Sequence, residues 1–278
     1  DHPRLLRRLA SLFGASATLS SALVGHPEAV DHLLTAGGAP SPEAIRKAHG
    51  EPPLTVEGSP PDPEEFVAAL RRAKREITLE VGLAHVGGEL DRRGVEVLLT
   101  TLAEAQVAAA LRYARAETFE RLGAPTREGC DAAAPGPPDM VVVGMGKLGA
   151  GELGFAGDLD LMFLYGADGE TATPSGRAAT YAEVFTRVGQ RTMRLLSQPD
   201  AEGAGYETDT RLRPSGSHGM LVVSLGSFDR YHEDKAQAWE RQALIRARPI
   251  AGDAELSRMA SERFERLAYE GEAPPPEV

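Results

Sequence analysis

From Leu5 to Leu122 the apolar positions return at intervals of three and four, the period of helices with one face turned inward. Leu5, Leu9, Leu12 and Phe13 share one such face. His26-Pro27-Glu28 sets Pro at a helix start, with Ala29, Val30, Leu33 and Leu34 following and Gly37-Gly38 as the stop. Ser41-Pro42-Glu43 opens another helix in the same way. Residues 50–63 hold five prolines and read as a long loop or linker. Asp62-Pro63-Glu64-Glu65 is a capping box for a helix with Phe66, Leu70, Ala73, Ile77 and Val81 inward. The Ala-rich stretch from Val95 to Leu122, with Leu98, Leu102, Leu111 and Phe119, predicts another long helix. The charged run Arg71, Arg72, Lys74, Arg75 and Glu76 reads as a solvated helical face.

The pattern changes after Gly123–Asp139, a Gly-, Pro- and Ala-rich stretch that marks a boundary. The expectation is a helical region over 1–134 and a second domain over 135–278. Met140–Val143 is a β-branched apolar run with the composition of a buried strand. Gly144–Gly157 is a turn and short helix holding six glycines and Lys147. Asp158-Leu159-Asp160-Leu161 opens a second apolar run through Tyr165. A polar loop, Gly166–Gly176, precedes an amphipathic helix over Tyr181–Leu196, with Val184, Phe185, Val188, Met193 and Leu196 inward. Gly205–Arg213 alternates as a strand does, and Met220–Leu225 is another strand. Ser227–Arg248 reads as one long helix, with Phe228, Tyr231, Ala238, Leu244 and Ile245 inward and Trp239 packed. Glu240, Arg246 and Arg248 then face the cleft, and Ala254–Ala268 is a last helix.

Composition narrows the partners. With 278 residues, 42% of them hydrophobic, the chain can bury a core and form about two domains. A net charge of −11 argues against a nucleic-acid partner held on a basic surface. Cys130, the single cysteine, cannot form an internal disulfide, which points to a reducing, cytoplasmic compartment. No stretch reads as a membrane span or signal peptide, so no membrane partner is expected. The chain starts Asp1-His2-Pro3 and ends Pro-rich, as a segment of a longer protein would.

The chemistry concentrates between Met140 and Tyr165. In an extended chain Asp158 and Asp160 point to one face while Leu159 and Leu161 point into the core. Two adjacent carboxylates repel unless a cation lies between them, and oxygen-only ligands suit Mg²⁺. The glycine turn before them can approach phosphate closely. Gly144, Gly146 and Gly149 also spell a dinucleotide fingerprint, but the segment Ala150–Gly157 is too short for the crossover helix that motif needs. Asp209, on a neighbouring strand, is placed to bring a third carboxylate to the same metal pair. Arg211 and Arg213 alternate with Leu212 and share a face with Asp209, where they either neutralise the acids or grip phosphate. The small residues of Pro214–Gly219 form a loop able to touch a ligand.

Together GMGKLGAGELGFAGDLDLMFLY, ETDTRLRPSGSHGMLVVSL and WERQALIRARPIAGD resemble the nucleotidyltransferase domain of glutamine synthetase adenylyltransferase. ASLFGASATLSSALVGHPEAVDHLL and FVAALRRAKREITLEVGLAHVGGELD resemble the helical region before its adenylylating domain. The resemblance implies an α+β fold: a polymerase-β-like domain, with a mixed sheet flanked by helices, preceded by an all-α region. Ser215, where the adenylyl-removing domain of the family usually has Phe, leans to the C-terminal, adenylylating half. By resemblance Asp158, Asp160 and Asp209 are the catalytic, metal-binding carboxylates. Gly144, Gly146, Lys147, Gly149, Arg211, Arg213 and Ser215 are the nucleotide-binding positions. Gly151, Gly154 and Gly157 depart from the Arg, Asn and Ser usual in the family.

The activity so implied is transfer of AMP from ATP to a tyrosine of glutamine synthetase, with two Mg²⁺ ions and release of pyrophosphate. Glutamine synthetase is the implied protein substrate and a PII signalling protein a further partner. Phosphorolytic removal of AMP from adenylyl-tyrosine, a silent regulatory or docking fragment, and nucleotide transfer to another acceptor are the competing readings.

Overall fold

The computed structural model describes residues 3–35, 38–50, 62–130, 136–172 and 178–269. The proposed boundary at residue 134, most of the Pro-rich stretch 50–63 and the end of the polar loop 166–176 lie outside them. The first half is helical: α1 (Pro3–Ala15), α2 (Ala17–Gly25), α3 (Ala29–Thr35), α4 (Pro42–Gly50), α5 (Pro63–Val86) and α6 (Arg92–Leu122). Asp62 caps α5 by accepting from the Glu64 and Glu65 amides, and Asp91 caps α6 by accepting from Gly94. Leu12 is buried as expected, but Phe13 is half exposed.

The second half runs β1 (Met140–Gly144), α7 (Gly146–Ala150), β2 (Leu159–Tyr165), β3 (Glu170–Ala172), β4 (Ala178–Thr180), α8 (Tyr181–Ser197), β5 (Thr208–Asp209), β6 (Val222–Ser224), α9 (Leu225–Asp234), α10 (Ala238–Ala243), β7 (Arg248–Gly252) and α11 (Ala254–Tyr269). β1 pairs antiparallel with β2 on one side and β7 on the other; β5 and β6 pair in parallel with the free edge of β2. The sheet is therefore mixed, and β2 is its centre. Strand alternation splits the two faces. Met140, Val142, Leu159, Leu161 and Phe163 join a core with residues of α5, α6 and α8, among them Leu70, Val107 and Phe185. Val141, Val143, Met162 and Leu164 join a second with Phe228, Leu256 and Phe264 of α9 and α11. One continuous apolar cluster thus ties the long helices of the first half to the sheet. This is the expected α+β architecture.

Several expectations fail. The single helix over Ser227–Arg248 is broken into α9, α10, a 3₁₀ turn at Leu244–Arg246 and β7. Pro249 disfavours helix at Arg248 and removes a donor, which an edge strand beside the irregularity between Val142 and Val143 tolerates. With the helix broken, Trp239 and Ile245 are half exposed rather than packed. The strand over Gly205–Arg213 shrinks to Thr208–Asp209, and the polar loop after Tyr165 holds the β3–β4 hairpin.

A further correction concerns the basic run on α5, which is no solvated face. Pro199 ends α8 and has no N–H, so the Leu195 carbonyl loses its helical partner. Arg71, 1% exposed, fills the gap: Nη2 donates to Leu195 O (2.7 Å), and Nε and Nη2 to Gln198 O (2.9 and 2.6 Å). Lys74 donates to Gly205 O at 2.7 Å and sits over the Tyr206 ring. Arg72 and Arg75 hold Glu202, and their hydrogen bonds draw its carboxyl down to about 2. The run fastens α5 to the segment that leads into β5. One helix, α6, has the length and composition of a membrane span, contrary to the sequence reading, but 72% of that stretch is buried inside the fold. It is a core helix.

Candidate functional site

β2 positions the acids. Asp158 precedes the strand and is exposed; Asp160 lies within it, half buried, on the face of Met162 and Leu164. The parallel register pairs Leu159 with Thr208 and Asp160 with Asp209, and Leu159 N donates to Glu207 O at 2.8 Å. Residues in register on neighbouring strands point to the same side. One carboxylate oxygen from each of Asp158, Asp160 and Asp209 therefore falls within 4.8 Å of the others.

The cluster is electrostatically strained. Burial, then the neighbouring Asp158 and Asp209, push the Asp160 carboxyl above its ordinary range. Asp209 goes the other way, because Arg211 donates to it: Nε to Oδ2 at 2.7 Å and the backbone N–H to Oδ1 at 2.7 Å. Three hard oxygen donors with no nitrogen or sulfur among them, repelling one another, fit a divalent ion of the Mg²⁺ type.

The glycine turn abuts this cluster. Gly146 has φ +52°, and a Cβ there would sit 2.3 Å from Asp160 Oδ2, so the close approach requires glycine. Met145 N donates to Asp160 O at 2.9 Å, which fixes the turn against β2. Lys147 is exposed beside Gly146, and its charge acts on Asp160. Gly149 is buried: a Cβ would lie 1.8 Å from Arg246 O, so the residue serves packing. Gly144 is likewise buried at the end of β1.

Arg211 and Arg213 part company. The strand stops at Asp209, and the expected common face does not exist. Arg211 is exposed and covers Asp209. Arg213 is buried and donates inside its own loop, to Thr210 O and Oγ1 (2.7 and 2.8 Å), Met220 O (3.2 Å), Gly219 O (3.2 Å) and Ser217 O (3.3 Å). Ser215 is exposed at φ +62°, the one non-glycine residue with positive φ among those described.

The sequence reading missed how Arg248 acts. It donates to Gly149 O at 3.0 Å and Leu148 O at 3.3 Å, the end of α7, and pairs with Glu104 of α6. Arg246 pairs with Glu152 rather than lining an open cleft, and Glu240 is buried, accepting from Tyr231 and the Gln237 amide. No local pattern signals these contacts, since Glu104 and Arg248 meet only through the fold.

A mixed sheet flanked by helices, with an acid cluster on its central strand beside a glycine-lysine turn, has the architecture of an α+β nucleotidyltransferase. The chain belongs to the family described as glutamate-ammonia ligase adenylyltransferase, whose model matches residues 6–263, helical half included. It is similar to the bifunctional glutamine synthetase adenylyltransferase/adenylyl-removing enzymes of Pseudomonas putida (37% identity over 253 residues) and Thioalkalivibrio sulfidiphilus (37% over 259). These alignments cover 91% and 92% of this chain and 26% of each relative, so it spans about a quarter of their length.

Proposed function

We propose that this segment catalyses AMP transfer from ATP to a tyrosine of glutamine synthetase. The observation that carries the reading is the convergence of Asp158, Asp160 and Asp209 within 4.8 Å, beside a turn that only glycine fits. Asp158, Asp160 and Asp209 would hold two Mg²⁺ ions. When bound, Mg²⁺ supplies charge neutralisation at the α-phosphate and leaving pyrophosphate and a lowered pKa for the attacking hydroxyl.

The chain's own residues do the positioning. Gly146 lets the turn close on the Asp160 carboxylate, and the exposed Lys147 beside it supplies a positive charge for an entering phosphate. Arg211, exposed on Asp209, exchanges the carboxylate for a phosphate oxygen as ATP enters. That exchange frees Asp209 to accept the tyrosine proton. The phenolic oxygen bonds to the α-phosphorus, the bond to the bridging oxygen breaks in line, and pyrophosphate leaves. Arg213 keeps the 210–220 loop in shape rather than gripping phosphate. Ser215, on that loop, favours adenylylation over removal by its resemblance to the adenylylating half.

The test is transfer of label from α-labelled ATP to glutamine synthetase, with Asp160→Asn and Asp158→Asn as controls. Loss of transfer by at least a hundredfold in both is expected; wild-type rates in either would overturn the assignment. Incubating adenylylated glutamine synthetase with phosphate and finding ADP as the main product would instead make this the removing half.

A further inference from the structure

On the sheet face opposite α9 and α11, a groove of about 470 Å³ opens between α6 and α8. Glu117 and Arg121 of α6 and Arg187, Gln190, Arg191 and Arg194 of α8 line it. Arg187, Arg191 and Arg194 are spaced by four and three, so they share one helical face and repel one another. Glu117 is the one carboxylate in the lining, and Arg191 already holds it, Nε to Oε2 at 2.5 Å and Nη2 to Oε1 at 3.3 Å. Among the described residues no carboxylate pairs with Arg121, Arg187 or Arg194. The basic run on α5 is committed to carbonyls and Glu202; of this one Arg191 alone holds a carboxylate, Glu117.

A solvated stripe would scatter its charges outward, whereas these guanidiniums come from two helices and face one concavity. Its volume is that of a small-ligand site. Planar guanidinium forks match phosphate oxygens bidentately. From Arg187 to Arg194 the helix rises about 10 Å. A short dicarboxylate spans only part of that length, but a chain of phosphates offers each fork its own oxyanion. We propose that the α6–α8 groove binds a small oligophosphate. The site shares no residue with the acid cluster and stands whether or not that cluster transfers AMP.

Calorimetry of the intact protein with sodium tripolyphosphate, in EDTA to exclude divalent ions, tests it. One-to-one binding is expected, weakened tenfold or more in Arg187→Gln/Arg194→Gln and unchanged within twofold in Lys147→Gln. Arg187→Lys/Arg194→Lys should fall between, because an ammonium lacks the fork. A circular-dichroism melt within a few degrees of wild type checks that the variants fold. Absence of binding at millimolar ligand, an unaffected double Gln variant, or loss in Lys147→Gln would each overturn the proposal, the last by moving the anion to the glycine turn. Tighter binding of citrate than of tripolyphosphate would do the same.

Discussion

Replacing Arg71 by Met tests whether the helical half is bonded to the sheet-bearing half or merely packed on it. Met keeps most of the aliphatic stem, so the apolar contacts change little. What disappears is three donations to two carbonyls, Leu195 O and Gln198 O, at the end of α8. Pro199 prevents the helix from restoring the first of them. Leu195 O is buried, and an acceptor left there without a partner costs about 1–3 kcal/mol, whereas Gln198 is exposed and its carbonyl can turn to water. Removing the guanidinium offsets part of this, since burial disfavours its charge and Nη1 already lacks a partner. A net loss of about 1.5 kcal/mol is expected, which at a urea slope near 3 kcal/mol/M lowers the midpoint by about 0.5 M. Hydrogen exchange should localise the effect. The Tyr206 amide, which donates to Leu196 O, should lose protection before the amides of β1. Arg71→Lys should lie between the two. A midpoint within 0.2 M of wild type, a shift of roughly 0.6 kcal/mol at that slope, would refute the reasoning.

Two more outcomes follow from the same geometry. His232 is buried against Phe228, with Nδ1 unpartnered, and burial pulls its pKa down to about 4. The native state stays neutral while the unfolded chain takes up a proton near 6.5, so stability is full above that pH and falls as pH drops toward 4. Urea midpoints should report about 2 kcal/mol lost between pH 7 and pH 5 from this group, and His232→Leu should flatten that slope. Gly146→Ala strains a backbone at φ +52° and drives a methyl into Asp160. Folding should weaken by about 1 kcal/mol, while AMP transfer falls by tenfold or more; unchanged transfer would remove the turn from the site.

Much was legible because it is local. The strand at Met140, the glycine turn, the alternation that puts Leu159 and Leu161 inward and the two aspartates outward, and the caps of α5 depend on neighbours within a few residues. Even Asp209 could be suspected, since an acid next to a short alternating stretch needs only one strand pairing to reach the others. The tertiary structure alone decided which pairing: a parallel register sets Asp209 against Asp160, and Arg71, from far earlier in the chain, holds the end of α8 from which the chain runs on to β5. A charged helical stripe carries no local mark of whether it meets water, carbonyls or an anion. The arginines of α5 and of α8 look alike in the sequence, and their different fates rest on what the fold brings opposite them.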